Sequence, residues 1–299
     1  MDWLSAVTAA VQYIEAHLTE PITAEEIARA VYVSPFHFQR GFHLTCGCTV
    51  GEYIRGRRLY LAALSLSAGE EKIIDAALRW GYESPEGFSR AFRKFHGVSP
   101  VAVRRGKSFR TFAAYRVDLA EQGLPALQGR IEKMDPFPVF GLHRRFSEET
   151  AQREIPLYWE ELLPRFPERQ QKLPPGCILG KYGICVSDNG HADFAYWVAG
   201  DAAGPLPAEY DTFTVPALTW AKFGCTGPLS KTLQQTTARI FKEWLPQNPE
   251  WELSADIDIE LYTEGGSESP DYYCEVWIPV QRNKGNPPDS LVASSSASQ

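Results

Sequence analysis

Three constellations in this 299-residue chain carry side chains suited to recognition chemistry. Phe36, Gln39, Arg40 and His43 stand at i, i+3, i+4 and i+7, one stripe along a helix, with His37 beside them. Glu86, Ser89, Arg90 and Arg93 repeat that spacing farther along, with Gly87 beside them. Such groups can donate to or accept from base edges and phosphates, arginine to guanine being the commonest specific contact. A solvated helix face is the plain alternative for either stripe taken alone. The third constellation alternates: Tyr273, Glu275 and Trp277 share one side of a strand whose other side carries Tyr272, Cys274, Val276 and Ile278. A carboxylate between two aromatics suits an apolar cation through Coulomb attraction and cation–π contact. Here the alternative is a surface strand with Glu275 in solvent.

The elements that hold the two stripes are a repeat. At a constant offset of 50, Arg29/Arg79, Tyr32/Tyr82, Ser34/Ser84, Pro35/Pro85, Phe38/Phe88, Arg40/Arg90 and Phe42/Phe92 coincide, and Gly47/Gly97 and Arg55/Arg105 extend the match. Each Ser-Pro pair reads as a helix start, serine as N-cap and proline at the first helical position. Thr23 with Glu26 makes a capping box for a preceding short helix, so each unit is a helix-turn-helix. Gly81 suits the turn of the second unit, where the first has Val31-Tyr32-Val33. Between the units, Gly51 to Leu66 is helical in pattern, with Leu59, Leu61, Ala62, Leu64 and Leu66 apolar and Arg55, Arg57 and Arg58 a basic start. A rigid linking helix would let one chain enter two successive major grooves, about 34 Å apart, without dimerising.

Charge divides the same way. Residues 1–110 hold 14 Lys+Arg against 11 Asp+Glu, a net of +3, and the remainder holds 16 against 26, a net of −10, giving −7 for the chain. That asymmetry hints at a polyanion-binding module joined to something else. Beyond a linker without periodicity, Arg130–Met134 and Phe140–Phe146 read as strands joined at Asp135-Pro-Phe-Pro, Ile155–Phe166 as a helix interrupted near Pro164, and Leu229–Leu245 as a second helix. Ile257, Ile259 and Leu261 alternate with Asp256, Asp258 and Glu260, the pattern of a half-buried strand. The expected division is 1–108 for DNA binding, 109–126 as linker, 127–282 for a small molecule and 283–299 as a disordered tail.

Hydrophobic residues at 44% and charged residues at 22% exclude a disordered or collagen-like chain. No apolar run reaches the ~18 residues of a membrane span, and the N-terminus lacks a signal-peptide pattern, so a cytoplasmic, nucleoid-associated protein is expected. No Walker A loop, G-x-G-x-x-G or H-E-x-x-H occurs, and Cys46-Gly-Cys48 lacks partners at metal spacing. His143 and His191 are isolated. No catalytic residue, cofactor or metal is expected.

With these residues in hand, residues 10–106 resemble the DNA-binding domain of the AraC/XylS regulators. The resemblance rests on Ile27-Ala28, Ser34-Pro-Phe-His-Phe-Gln-Arg-Gly-Phe42, Gly51-Glu-Tyr-Ile-Arg, Arg58-Leu, Ala76-Ala-Leu-Arg-Trp-Gly-Tyr, Ser84-Pro85, Phe88-Ser-Arg-Ala-Phe-Arg-Lys-Phe and Gly97-Val-Ser-Pro100. It implies that Phe36, Gln39 and Arg40 read one groove and that Glu86, Gly87, Ser89 and Arg90 occupy the equivalent positions in the next, with RNA polymerase as a further partner. Residues 128–282 resemble a GyrI-like, Rob-type small-molecule-binding domain through Gly141, Ile155-Pro-x-x-Trp159-Glu-Glu, Tyr182-Gly-Ile-Cys, Phe194-x-Tyr196-Trp-Val, Trp244-Leu-Pro and Ile259-Glu-Leu-Tyr…Tyr273-Cys-Glu-Val-Trp-Ile-Pro279. This implies a duplicated α+β fold with an antiparallel sheet, following an all-α double helix-turn-helix domain, and a glutamate, here Glu275, facing an aromatic pocket. Trp159, Tyr182, Tyr196 and Trp244 are candidate walls. The expected function is a ligand-responsive transcription activator sensing a lipophilic cation. A hydrolase using Glu275 with Tyr273, and a constitutive DNA binder whose second domain docks a protein, stay open as rivals.

Overall fold

The computed structural model describes residues 3–116, 126–187 and 193–283. The proposed tail beyond 283, the middle of the proposed linker and His191 lie outside the described residues. No helix among the described residues is long and apolar enough to cross a membrane.

The first seven helices are α1 (Trp3–Ala16), α2 (Ala24–Ala30), α3 (Pro35–Cys46), α4 (Val50–Ala68), α5 (Ile73–Arg79), α6 (Pro85–His96) and α7 (Pro100–Arg104). Their starts follow the expected caps. Ser34 accepts from the His37 amide and Ser84 from the Gly87 amide, each with proline in the first turn, and Thr23 and Glu26 form the capping box. Phe38, Phe42, Leu59, Ala62, Phe88 and Phe92 interlock in the core.

The repeat carries a one-residue shift at its turns. Four residues separate α2 from α3 and five separate α5 from α6, so the constant offset holds only from Ser34 and Ser84 onward. The residue matching Gly81 (φ 79°) is therefore Tyr32, left-handed at φ 58° and 89% exposed. A tyrosine there bears a cost of about 1–2 kcal/mol that glycine avoids.

Helix α4 corrects a second expectation. Arg57 is buried and binds the Glu15 carboxylate with Nε at 2.8 Å and Nη2 at 2.7 Å. Arg58 donates to the Leu18 and Glu20 carbonyls at 2.7 and 2.6 Å. Two of the three basic residues thus brace α4 against the end of α1, and of that cluster Arg55 alone projects outward.

The second half is one antiparallel sheet built from β1 (Arg130–Met134), β2 (Phe137–Ser147), β3 (Tyr182–Val186), β4 (Asp193–Asp201), β5 (Asp211–Val215), β6 (Leu218–Thr226), β7 (Trp251–Leu253), β8 (Ile257–Tyr262) and β9 (Tyr273–Arg282). The strand order is β1-β6-β9-β8-β3-β4-β2-β5, with β7 paired to β9. Exchanging β1 with β5, β2 with β6, β3 with β8 and β4 with β9 reverses that order onto itself. The domain is therefore duplicated about a pseudo-two-fold axis between β3 and β8. Each copy adds a helix after its second strand: α8 (Glu148–Leu162) after β2 and α10 (Leu229–Arg239) after β6. A 3-10 turn, Leu163–Arg165, leads from α8 to α9 (Phe166–Gln171), and a π-helical turn, Ile240–Trp244, continues α10.

Helix α8 begins seven residues before the expected Ile155, because Ser147 caps it and Glu148 and Glu149 favour its positive end; Pro156 sits inside it. The turn between the first two strands shortens to Asp135-Pro136, with Pro138 already in β2. Both helices cover one face of the sheet. Phe194, Tyr196, Val198 and Cys185 meet Tyr158 and Leu162 of α8, and Ala221, Phe223, Cys274 and Val276 lie under the π-helical turn.

Candidate functional site

The two helix-turn-helix units are alike in sequence and unlike in surroundings. α3 and α6 are 12 residues each, yet α6 buries only Phe88, Phe92 and His96, whereas α3 buries Phe36, His37, Phe38, Gln39, Gly41, Phe42 and Thr45. The second stripe is open: Glu86, Arg90 and Arg93 are exposed, with Gly87 and Ser89 partly so. The first stripe is covered by the sheet domain. α3 lies over β3 and β8, between α8 and α10.

Every stripe residue of α3 has a place in that seam. Phe36 joins the cluster of Phe146, Tyr158 and Phe194, its ring edge-on to Phe194 at 5.9 Å. Arg40 reaches the sheet, with Nη1 3.3 Å from Cys185 Sγ, Nε 3.5 Å from Asp258 Oδ2 and Nη2 4.0 Å from Glu260 Oε1. His43 Nε2 is 3.1 Å from the Gln152 side-chain nitrogen on α8. Gln39 lines a cavity of about 290 Å³ shared with Gly51, Glu148 and Glu149. His37 is 3.3 Å from Asp256 and 3.8 Å from Asp258. Trp3 of α1 extends the seam against Phe241, with ring centroids at 5.2 Å.

The floor beneath Arg40 is acidic and aromatic. By strand register, Asp258, Glu260 and Tyr262 project to the helix-covered face with Cys185 and Tyr196. Tyr196 donates its hydroxyl to Glu260 at 3.2 Å, and Tyr262 donates to the same oxygen at 2.5 Å. Trp159 donates its indole N–H to Tyr196 at 2.9 Å and stands perpendicular to Tyr262 at 5.4 Å. Gly183 makes room for this group: a Cβ there would lie 2.3 Å from the Tyr196 hydroxyl and 2.9 Å from Glu260. Both Asp258 oxygens are buried without a hydrogen bond among the described residues, where Arg40 and His37 are the cations beside them.

Burial raises the Glu260 carboxyl above its ordinary range although Arg40 and two tyrosines oppose it. Burial also pushes Glu148 up to about 7 against the pull of Arg40. For His37, burial lowers the affinity for a proton, but Asp256 and Asp258 outweigh it and hold the imidazole above its usual value. Ser34 and Arg40 are the other polar groups beside that ring or its carboxylates. A group bound more tightly to its proton in the docked state favours docking when protonated. Docking should therefore be firmest between about pH 4, the ordinary aspartate value, and about pH 6.5, the ordinary histidine value, because Asp256 is held below its usual range by His37, and should weaken as pH rises through the raised value of His37. Small-angle scattering should show the radius of gyration increasing as pH rises through about 7, where Glu148 loses its proton, and on through the raised histidine value. A constant radius would remove His37 and Glu148 from the control of docking.

The remaining candidates occupy other places. Tyr273, Glu275 and Trp277 share a face, the one away from the helices. Tyr273 donates to Glu275 Oε1 at 2.7 Å and Trp277 Nε1 donates to Oε2 at 2.6 Å, so both oxygens are engaged. Lys222 Nζ sits 3.8 Å over the Trp277 ring and 3.0 Å from Glu132. Tyr182 is on this face, 6.2 Å from Trp277. Trp159 and Tyr196 are on the opposite face with Glu260, and Trp244 packs on Phe223 at 5.1 Å in the core under the π-helical turn. The seven candidate ligand residues thus separate into three groups. Asp258, Glu260 and Tyr262 were missed because their alternation with Ile257, Ile259 and Leu261 reads as a solvent face. Trp197, Trp220 and Lys222, on the face with Glu275, were missed for want of a local signal.

The helix-turn-helix domain family matches residues 27–106, and the family of integron-associated effector-binding proteins matches residues 130–280. The transcriptional regulator Rob of Salmonella typhimurium is 32% identical over 148 residues, covering 49% of this chain and 50% of Rob. The regulatory protein SoxS of the same organism is 38% identical over 104 residues, covering 35% of this chain and 97% of SoxS. Among solved structures, SAV2435 bound to tetraphenylphosphonium is 20% identical with a TM-score of 0.45, covering 52% of this chain and 94% of that one. The chain spans half or less of the length of the first curated relatives it matches.

Proposed function

The chain belongs to the AraC-type helix-turn-helix regulators and, over residues 130–280, to the integron-associated effector-binding proteins, and from that premise we propose that it is a ligand-responsive, sequence-specific DNA-binding activator of transcription that senses a lipophilic cation. The observation that carries the ligand class is the groove under α3, where a guanidinium already rests on the buried Asp258 and the partly buried Glu260 beside Trp159, Tyr196 and Tyr262. A carboxylate whose proton affinity is raised by burial, as that of Glu260 is, gains from a permanent cation, and aromatic walls add cation–π attraction to an organic one. A second reading places the cation at Glu275 with Tyr273 and Trp277, favoured by Lys222 already stacked on Trp277. RNA polymerase is the partner through which an activator would act.

DNA recognition is assigned to the stripe of α3 and that of α6. Arg90→Ala should weaken site-specific binding by about 1–3 kcal/mol in a titration at fixed salt, with less loss on unrelated duplex. An equal loss on both duplexes would make Arg90 a phosphate contact only. The sensing role is tested by calorimetry on the full chain with tetraphenylphosphonium and, as a control of the same shape and opposite charge, tetraphenylborate. Binding of the cation alone is expected, and equal binding of both would remove charge recognition from the function.

A further inference from the structure

The residue that the DNA-reading stripe of α3 aims at a base is the same residue that fills the acidic groove. Arg40 cannot contact DNA while its guanidinium lies against Cys185, Asp258 and Glu260. Phe36, Gln39 and His43 are withdrawn with it, because they sit on the same helix and in the same seam. The twin stripe on α6 stays exposed. This asymmetry does not follow from the repeat, which would treat the two helices alike. It comes from the sheet domain, which presents its carboxylates to one helix and not the other.

We propose that α3 is a built-in occupant of the effector groove, with Arg40 in the place of the ligand's cationic centre, so that an organic cation and α3 compete for Asp258 and Glu260. A cation that enters the groove expels α3, and the expelled helix is the form that reads DNA. The sheet domain is thus an autoinhibitor of the first reader, and the ligand relieves it without needing a separate route between two distant sites. The incoming cation replaces the charge of Arg40 beside Asp258 and Glu260, while His37, which leaves with the helix, gives way to water. Opening with nothing in its place gives up the Arg40 ion pairs and exposes the apolar contacts of Phe36 to water. The seam therefore resists spontaneous opening and yields to a group of the right charge.

This inference rests on the groove being the cation site, and the test separates the two. Calorimetry with tetraphenylphosphonium on the full chain is run with Arg40→Ala and with Phe36→Ala, which loosens the seam without touching charge. Opening is followed in parallel by alkylation of Cys46, a partly buried thiol at the end of α3 that packs against the sheet domain and feels Lys242 there. If the competent form of the native chain is a few per cent or less, removing the internal competitor should tighten binding about 10- to 100-fold, since apparent affinity scales with the competent fraction. Both variants are expected to tighten the probe, and the probe is expected to accelerate Cys46 alkylation in the native chain. Binding that neither variant tightens, with Cys46 alkylation unchanged by the probe, would overturn competition and leave the sensor reading standing. No binding to any of the three chains would overturn both. Tightening in Phe36→Ala alone would overturn Arg40 as the occupant of the cationic position.

Discussion

Glu260→Gln should weaken tetraphenylphosphonium about 10- to 100-fold, which corresponds to about 1.4–2.8 kcal/mol, while Glu275→Gln should leave the affinity within about twofold. The amide keeps the shape of the side chain and can still accept from Tyr196 and Tyr262, which share one Glu260 oxygen. What disappears is a partly buried negative charge whose other oxygen faces Arg40. Because burial raises its proton affinity, Glu260 should also lose its attraction for the probe as pH falls through that raised value, and the native affinity should fall with it. Glu275 lies across the sheet, with each oxygen already accepting a hydrogen bond from its own strand. The measurement is calorimetric titration of each variant at fixed salt. The opposite ranking, with Glu275→Gln the damaging change, would transfer the cation site to the other face of the sheet.

The second large effect concerns stability. Glu275→Leu should destabilise the sheet domain by about 3 kcal/mol, because hydrogen bonds to a charged acceptor contribute about 1.5–3 kcal/mol and a buried donor left unpaired adds its own cost. The orphaned donor is the Trp277 indole N–H, on a ring 5% exposed between Lys222 and Trp220. Glu275→Gln should cost about 1 kcal/mol, since an amide can accept from Trp277 and donate to the Tyr273 oxygen. Urea unfolding followed by tryptophan emission reports this, fitted with a separate transition for each domain. A Glu275→Leu chain as stable as the native one would show that the carboxylate contributes nothing to the fold, and would strengthen its claim to a ligand.

What the sequence disclosed was what is encoded locally. Ser34-Pro35 and Ser84-Pro85 start helices in any surroundings, and the alternation through Tyr273, Glu275 and Trp277 puts them on one face whatever strands lie beside them. Register between strands has no such local signature. Tyr182 and Tyr196 both looked like walls for Glu275, yet Tyr182 pairs with Ala199 and Tyr196 with Cys185, one step out of phase, so they point to opposite faces. The seam was hidden for a related reason. Asp258 and Glu260 look like the wet side of a strand, and the helix that covers them is some two hundred residues away in the chain. One residue did carry a trace of it: Phe36, an apolar ring in a stripe otherwise built for base edges, whose partners turn out to be Phe146 and Phe194.

A plug carried on the same chain is never diluted. Groups joined by a short connection meet at an effective concentration in the millimolar range, whatever the amount of protein present. With Arg40 and Asp258 in one polypeptide, a free compound must outbid that standing local supply before anything changes. The dose at which the protein responds is then fixed by the tether and the seam as much as by the compound's own fit. Traces of a good cation would pass unanswered, and only a sustained intake would free the helix.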